Sequence, residues 1–328
     1  MSVARRSLAA LLAVVMSVTA CGGSDTADGT VTVVATTSIL GDVVASIAGD
    51  VADVEVLIEP GQGEHTFQAS PQQVRSIQQA DLVVAFGLGL EAGLQDVLAT
   101  SGGDRVLEVG PLVDPIPFDD TDSVEDDDHT DEDDDHASEE VHGPDAGHDH
   151  EGFDPHVWLD PVRMATAAET IADALVEVSP GDMAAGIRDR ATTTITAIMD
   201  AHDQADDLLS TIPPGRRLLV TDHEAMSYFA ERYGFRLIGS LLPGTSTDAA
   251  ASAERLASLI DRVEELQIPA IFVDATASDR LARTLEAEVP GLRVVALYVG
   301  SLGPPDSGAT TYPDLVVENA RRVADALG

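Results

Sequence analysis

A single long helical stretch most limits what this chain can fold into. It starts at Ser179-Pro180-Gly181-Asp182, runs unbroken over 180–210 and is stopped by Pro213-Pro214. At 1.5 Å per residue it spans roughly 45 Å, long enough to link two bodies and too long to sit inside one small core. On both sides β-branched apolar runs alternate with helix-length segments. Strands are predicted over 31–35, 51–58, 81–86 and 105–109, with helices over 38–47, 71–79 and 90–99. Ser70-Pro71-Gln72-Gln73 sets the start of the helix at 71: an N-cap, a proline in the first turn and a glutamine at N3. A helix over 161–178 precedes the long one. After it, strands over 217–221, 236–241, 270–274 and 293–298 alternate with helices over 224–233, 249–267, 278–288 and 312–327. The expected architecture is α/β: two lobes with mainly parallel sheets flanked by helices, joined by one long rigid helix. Ligands of such sheets gather at the carboxyl ends of the strands, so the cleft between the lobes is the expected site.

The divisions read from the sequence are a signal peptide over 1–20, a tether over 21–29, an N-terminal lobe over 30–178 with an insertion over 119–151, the connecting helix over 179–212 and a C-terminal lobe over 213–328. Arg5 and Arg6 precede an apolar run that ends at Val18-Thr19-Ala20-Cys21, too short to span a bilayer comfortably. Small residues before a lone cysteine, with Gly22-Gly23-Ser24-Asp25 after it, resemble a bacterial lipobox. Cys21 would then be cleaved at its amino side and lipidated. An ordinary secretory signal with a stray cysteine is the alternative. With one cysteine in the chain, an intramolecular disulfide is impossible. Gly87-Leu88-Gly89 has no cation nearby and reads as a tight turn, not a phosphate loop.

Charge excludes one class of partner. The chain carries 58 acidic against 18 basic residues, net −40, and has no lysine, so it offers no surface for nucleic acid. Seventeen of the acidic residues, with five histidines and no arginine, fall within 119–151.

Outside that segment stand His65, His156, His202 and His223. His65 follows the strand over 51–58, His223 follows that over 217–221, and His156 precedes the helix over 161–178, so three of them occupy loops that can converge on one cleft. His202, inside the long helix beside Asp203, reads as a solvated surface residue. Three neutral imidazoles with one further donor suit a tetrahedral zinc ion. Taken singly, each could as well be a satisfied loop residue, and the spacing forms no compact metal motif.

The lipobox, Gly63-Glu64-His65 with Ser70-Pro71 after it, the block Asp154-Pro155-His156-Val157-Trp158-Leu159-Asp160-Pro161 and the block from Asp222-His223-Glu224 to Tyr233-Gly234 resemble one family. It is the zinc/manganese group of solute-binding lipoproteins of metal ABC importers, TroA-like and closest to ZnuA-type members. The resemblance implies a binding protein, not an enzyme, which captures Zn²⁺ between its lobes and works as a monomer. It would deliver the ion to an ABC permease subunit and be lipid-anchored through Cys21 to the outer face of the bacterial membrane. His65, His156 and His223 match the metal ligands. A third histidine is like the zinc branch, whereas a carboxylate there would favour manganese, so Mn²⁺ is the lesser expectation. Gly300, in Val299-Gly300-Ser301-Leu302-Gly303, stands where the family's usual aspartate would be. Glu64 is the candidate fourth ligand, directly or through water. Asp160 and Asp222 are candidates to orient imidazoles from behind, and Asp274 reads as a strand-end cap.

His129, His136, His142, His148 and His150 lie among the carboxylates of the insertion. That segment has too little apolar surface to order itself and reads as an auxiliary, low-affinity metal collector, or as a merely solvated insertion. Two other classes of function stay open on the residues alone: a secreted zinc hydrolase with Glu64 as general base, and a metal-storage or adhesin lipoprotein.

Overall fold

A computed structural model of the chain describes residues 30–117, 152–247 and 252–328. The signal peptide, Cys21, the tether, the 119–151 insertion and its five histidines lie outside the described residues.

The first sheet contains β1 (Val31–Thr37), β2 (Ala52–Ile58), β3 (Leu82–Ala85) and β4 (Val106–Glu108), in the order β2-β1-β3-β4 and parallel throughout. Helices α1 (Ser38–Ala48) and α2 (Pro71–Gln79) and the single turn α3 (Gln95–Val97) connect them. The second sheet repeats the plan with β5 (Leu218–Thr221), β6 (Arg236–Ser240), β7 (Ala270–Asp274) and β8 (Arg293–Leu297), in the order β6-β5-β7-β8, again parallel. Between the sheets come α4 (Pro161–Val178) and the long α5 (Ala184–Ser210); α6 (Ser227–Tyr233), α7 (Ala253–Glu265), α8 (Arg280–Glu288) and α9 (Tyr312–Leu327) complete the chain. The two-lobed α/β architecture is as the sequence predicts.

Local chemistry accounts for the elements that the sequence places correctly. In α2 the Ser70 side chain accepts from the Gln73 amide while Gln73 Oε1 accepts from the Ser70 amide at 2.9 Å, a reciprocal capping box. Strand β3 is buried along its whole length, as a parallel strand covered on both faces must be. Where the structure departs, local turns and distant contacts both contribute. Residues 90–99 do not form the expected regular helix. They are broken into 3₁₀, α and π turns, because Gly93 lies so close to the Phe67 carbonyl that a Cβ there would be 2.0 Å from its oxygen. Helix α5 begins at Ala184 and not at 180, since the Met183 amide turns back onto the Pro180 carbonyl. Helix α6 begins at Ser227 because residues 222–226 are spent on a loop: the Glu224 amide donates to the Gly244 carbonyl and Thr221 Oγ1 to the His223 carbonyl.

The largest hydrophobic core does not stop at the lobe boundary. One buried cluster runs from Val31 and Val33 of β1 through α1, α4 and α5 to Phe229, Phe272 and Leu297, then along α9 to Leu327. Trp158 and Tyr312 stitch it together: Trp158 Nε1 donates to the Val299 carbonyl and Tyr312 Oη to the Trp158 carbonyl, both at 2.6 Å. The lobes therefore meet through packed apolar surface.

Candidate metal centre

The three loops predicted to converge do so. A ring nitrogen from each of His65, His156 and His223 lies within 4.8 Å of the others, and the ring centroids are 5.4 to 5.9 Å apart. His156 and His223 are wholly buried.

Two of the rings are held from behind by the same device. His223 Nδ1–H donates to Asp222 Oδ1 at 2.7 Å, and His156 Nδ1–H donates to Asp154 Oδ1 at 2.8 Å. Each carboxylate also accepts the backbone amide of its own histidine, at 2.9 and 3.0 Å. A carboxylate only accepts, so each Nδ1 keeps its proton and each Nε2 presents its lone pair forward. The Nε2 atoms of His65, His156 and His223 are all buried with no hydrogen-bond partner among the described residues. Three buried ring nitrogens without partners in one space are costly, and a divalent ion that takes their lone pairs would relieve that cost.

Asp222 orients His223, as expected. Asp160 does not orient an imidazole. Its carboxylate is enclosed by Arg232, whose Nε and Nη2 donate to it at 2.8 and 2.7 Å, and by Arg163 at 2.7 Å, and it caps α4 through the Val162 amide. The arginine pairs hold its carboxyl below the usual range although burial alone would raise it. Asp154, two residues before His156, takes the role expected of Asp160, and an acidic residue one or two places before a candidate ligand is the signal that points to it. His202 also departs from expectation: it is half-buried, with Nδ1 3.2 Å from Tyr233 Oη. Asp274 does cap its strand end, accepting from the Thr276 amide and hydroxyl, and it takes the Gly300 amide as well, at 3.0 Å.

Glu64 is buried beside the imidazoles, with Oε1 3.5 Å from His65 Nε2. The backbone at Gly300 is not in a region reserved for glycine, but a Cβ built there would fall 2.1 Å from Glu64 Oε2 and 2.2 Å from Oε1. The carboxylate of Glu64 thus fills the room that a side chain at 300 would need. Glycine at 300 and glutamate at 64 are one arrangement, which the sequence shows only as two separate oddities.

Burial dominates the protonation of the cluster. It pushes Glu64 up to about 7, helped by the nearby Asp274 charge. It pushes His65 down to about 2, helped by the other two imidazoles, and lowers His156 against the pull of Asp154. For His223 burial acts in the same direction, but the Asp222 hydrogen bond and the Asp222, Asp274 and Glu64 charges outweigh it and raise it. At neutral pH the site offers at least two unprotonated imidazoles inside a ring of carboxylates, a surrounding that favours a cation.

Comparison with known proteins finds relatives along most of the chain. The family model described as zinc-uptake complex component A, periplasmic, matches residues 33–326. The manganese-binding lipoprotein MntA of Halalkalibacterium halodurans is 28% identical over 322 residues, 97% of this chain and 96% of that one. The zinc-binding lipoprotein AdcA of Streptococcus pneumoniae is 32% identical over 269 residues, 82% of this chain and 50% of that longer protein. Among solved structures, the periplasmic zinc-binding protein TroA of Treponema pallidum superposes with a TM-score of 0.75 at 24% identity, covering 92% of this chain and all of the other, a likeness of fold.

Proposed function

The chain belongs to the family of periplasmic zinc-uptake components, whose members are solute-binding proteins of ABC importers, and from that premise we propose that it captures Zn²⁺ outside the cytoplasmic membrane and hands it to an importer's permease. The observation that carries the choice of metal is the donor set. Three buried, unpartnered Nε2 atoms face one point, and the place of a fourth, hard oxygen ligand at 300 is taken by a glycine. Nitrogen-rich, four-coordinate sites suit zinc, while manganese prefers more oxygen donors. A zinc ion with bonds of about 2.05 Å sets tetrahedral donors roughly 3.4 Å apart, so imidazole nitrogens now within 4.8 Å need close by little more than an ångström.

In this reading His65, His156 and His223 are the ligands, and Glu64 supplies the fourth position directly or through water. Asp154 and Asp222 keep two of the rings in the ligating tautomer. Zinc is cargo here, not a reagent. Cys21 carries a lipid that holds the mature chain, a monomer, at the outer face of the membrane; residues 21–29 are its tether and the 119–151 segment gathers ions near the cleft. The relatives bear the names of manganese, zinc and iron binders, so metal choice is what the experiment must decide. Competition titration of zinc against manganese, on the wild type, on His156→Ala and on a chain lacking 119–151, tests the whole reading. One tight zinc site lost in His156→Ala, with the weaker sites lost in the deletion, is expected. Manganese bound more tightly than zinc would overturn the choice of metal, and weak binding only through 119–151 would favour storage.

A further inference from the structure

The loop that carries Glu64 and His65 is largely exposed, and its other hydrogen bonds are its own: the Gln62 amide donates to the Glu59 carbonyl, and the Glu59 amide donates to Gln62 Oε1. Among the described residues, one hydrogen bond joins residues 60–66 to the opposite lobe. The Gly61 amide donates to Ser301 Oγ at 2.7 Å.

Ser301 is buried and sits next to Gly300, in a segment pinned at nearly every residue. The Val299 carbonyl accepts from Trp158, the Gly300 amide donates to Asp274, and the Leu302 amide donates to Ser38 Oγ at 3.1 Å. The Ser301 hydroxyl itself donates to the Leu302 carbonyl at 2.9 Å and lies 3.4 Å from Ser38 Oγ. A segment pinned by hydrogen bonds therefore holds an exposed loop at one point, three residues before the first candidate donor.

Resting on the zinc-uptake reading, we propose that Ser301 is a positioning residue which sets how long the metal stays: the Gly61–Ser301 hydrogen bond holds Glu64 and His65 over the ion, and release requires it to break. Ser301 touches no metal. It acts on the barrier to dissociation, since the loop must leave the opposite lobe before Glu64 and His65 can withdraw. A net contribution of one hydrogen bond at this level of burial corresponds to about two- to tenfold in rate.

The test is zinc release to an excess of chelator, followed by stopped flow, in the wild type, Ser301→Ala and Ser38→Ala, with amide hydrogen exchange of residue 61 measured alongside. Ser301→Ala is expected to release zinc about two- to tenfold faster with an unchanged capture rate, and to lose the protection of the Gly61 amide. Ser38→Ala keeps the Gly61 bond and is expected to release at close to the wild-type rate. Equal release in the wild type and Ser301→Ala, equal acceleration in both variants, or a Gly61 amide that already exchanges freely in the zinc-loaded wild type would each overturn the proposal. Absence of tight zinc binding in the wild type would instead overturn the uptake reading, and the exchange of the Gly61 amide would still decide whether the tie exists.

Discussion

Placing a side chain at Gly300 is the sharpest test of the site. An alanine there sets its Cβ 2.1 Å from Glu64 Oε2, 2.2 Å from Oε1 and 2.3 Å from Cδ, more than an ångström inside ordinary contact. The carboxylate is the end of a flexible side chain, so it will yield before the backbone does. Overpacking of a buried site costs about 1–3 kcal/mol, and a yielding partner puts Gly300→Ala near the lower end. Binding should suffer more. A charge-assisted donor displaced from the ion is worth about 1.5–3 kcal/mol, which is roughly 10- to 150-fold in zinc affinity. Gly300→Asp adds a second carboxylate to the same space. At about 4 Å and an effective dielectric near 20, two like charges repel by about 4 kcal/mol, so one will stay protonated or Glu64 will leave. The assay is a cycle of Gly300→Asp, Glu64→Ala and the double variant, read by urea denaturation of the metal-free protein and by zinc and manganese titration. Gly300→Asp alone should be destabilised and bind zinc poorly. The double variant should recover stability and zinc binding with the zinc-to-manganese preference little changed, having exchanged one carboxylate for another in the same space. Additivity within about 0.5 kcal/mol would refute the argument that the two positions share one space.

Glu64 also gives the site a pH dependence with a definite sign. Raised to about 7, it is protonated below neutrality in the metal-free protein and must lose that proton to ligate, so zinc affinity should fall as pH drops from 8 to 6, up to about tenfold per unit below 7, and Glu64→Gln should flatten that slope in a titration series. Asp154→Ala should weaken zinc binding by about 10- to 100-fold with modest loss of stability, by calorimetric titration and thermal melts. Asp160→Ala should do the reverse, destabilising the fold by about 1.5–3 kcal/mol because Arg232 loses its carboxylate while Arg163 keeps Glu231, with zinc affinity changed less than in Asp154→Ala. Tyr228 Oη accepts from the Ile116 amide and donates to the Asp154 carbonyl, so it ties both of these backbone segments to α6. Tyr228→Phe should cost about 1–3 kcal/mol in urea denaturation; an unchanged midpoint would show that the segments hold without it.

What the sequence discloses follows from how far apart the interacting residues lie. The capping box of α2 is complete within four residues and is legible in the amino-acid order alone. The convergence of the three histidines is legible in part: His65 and His223 follow parallel strands whose ends gather at one edge, whereas His156 follows no strand and is placed by the loop before α4. The regular helix expected over 90–99 fails on Phe67, which reaches Gly93 from another loop. Asp160 is close to His156 along the chain, but Arg232, 72 residues on, claims its carboxylate. His202 of α5 and Tyr233 of α6 meet across 31 residues of sequence. The exchange of Glu64 for a side chain at 300 links positions 236 apart in sequence, and no local pattern marks such a pair.

The shared core beneath the cleft makes the two halves a single object of inheritance. Cut after Ser210, the N-terminal half would expose the part of α5 that α9 covers, and the C-terminal half the part of α9 that α5 covers, since the two helices pack within one core. Neither half is then a module that recombination could lend to another chain, even though their sheets are wound alike. Variation at the loops above is less bound by that core, although the donors at 64 and 300 must still change as a pair. The floor under those loops can change only when both halves change together.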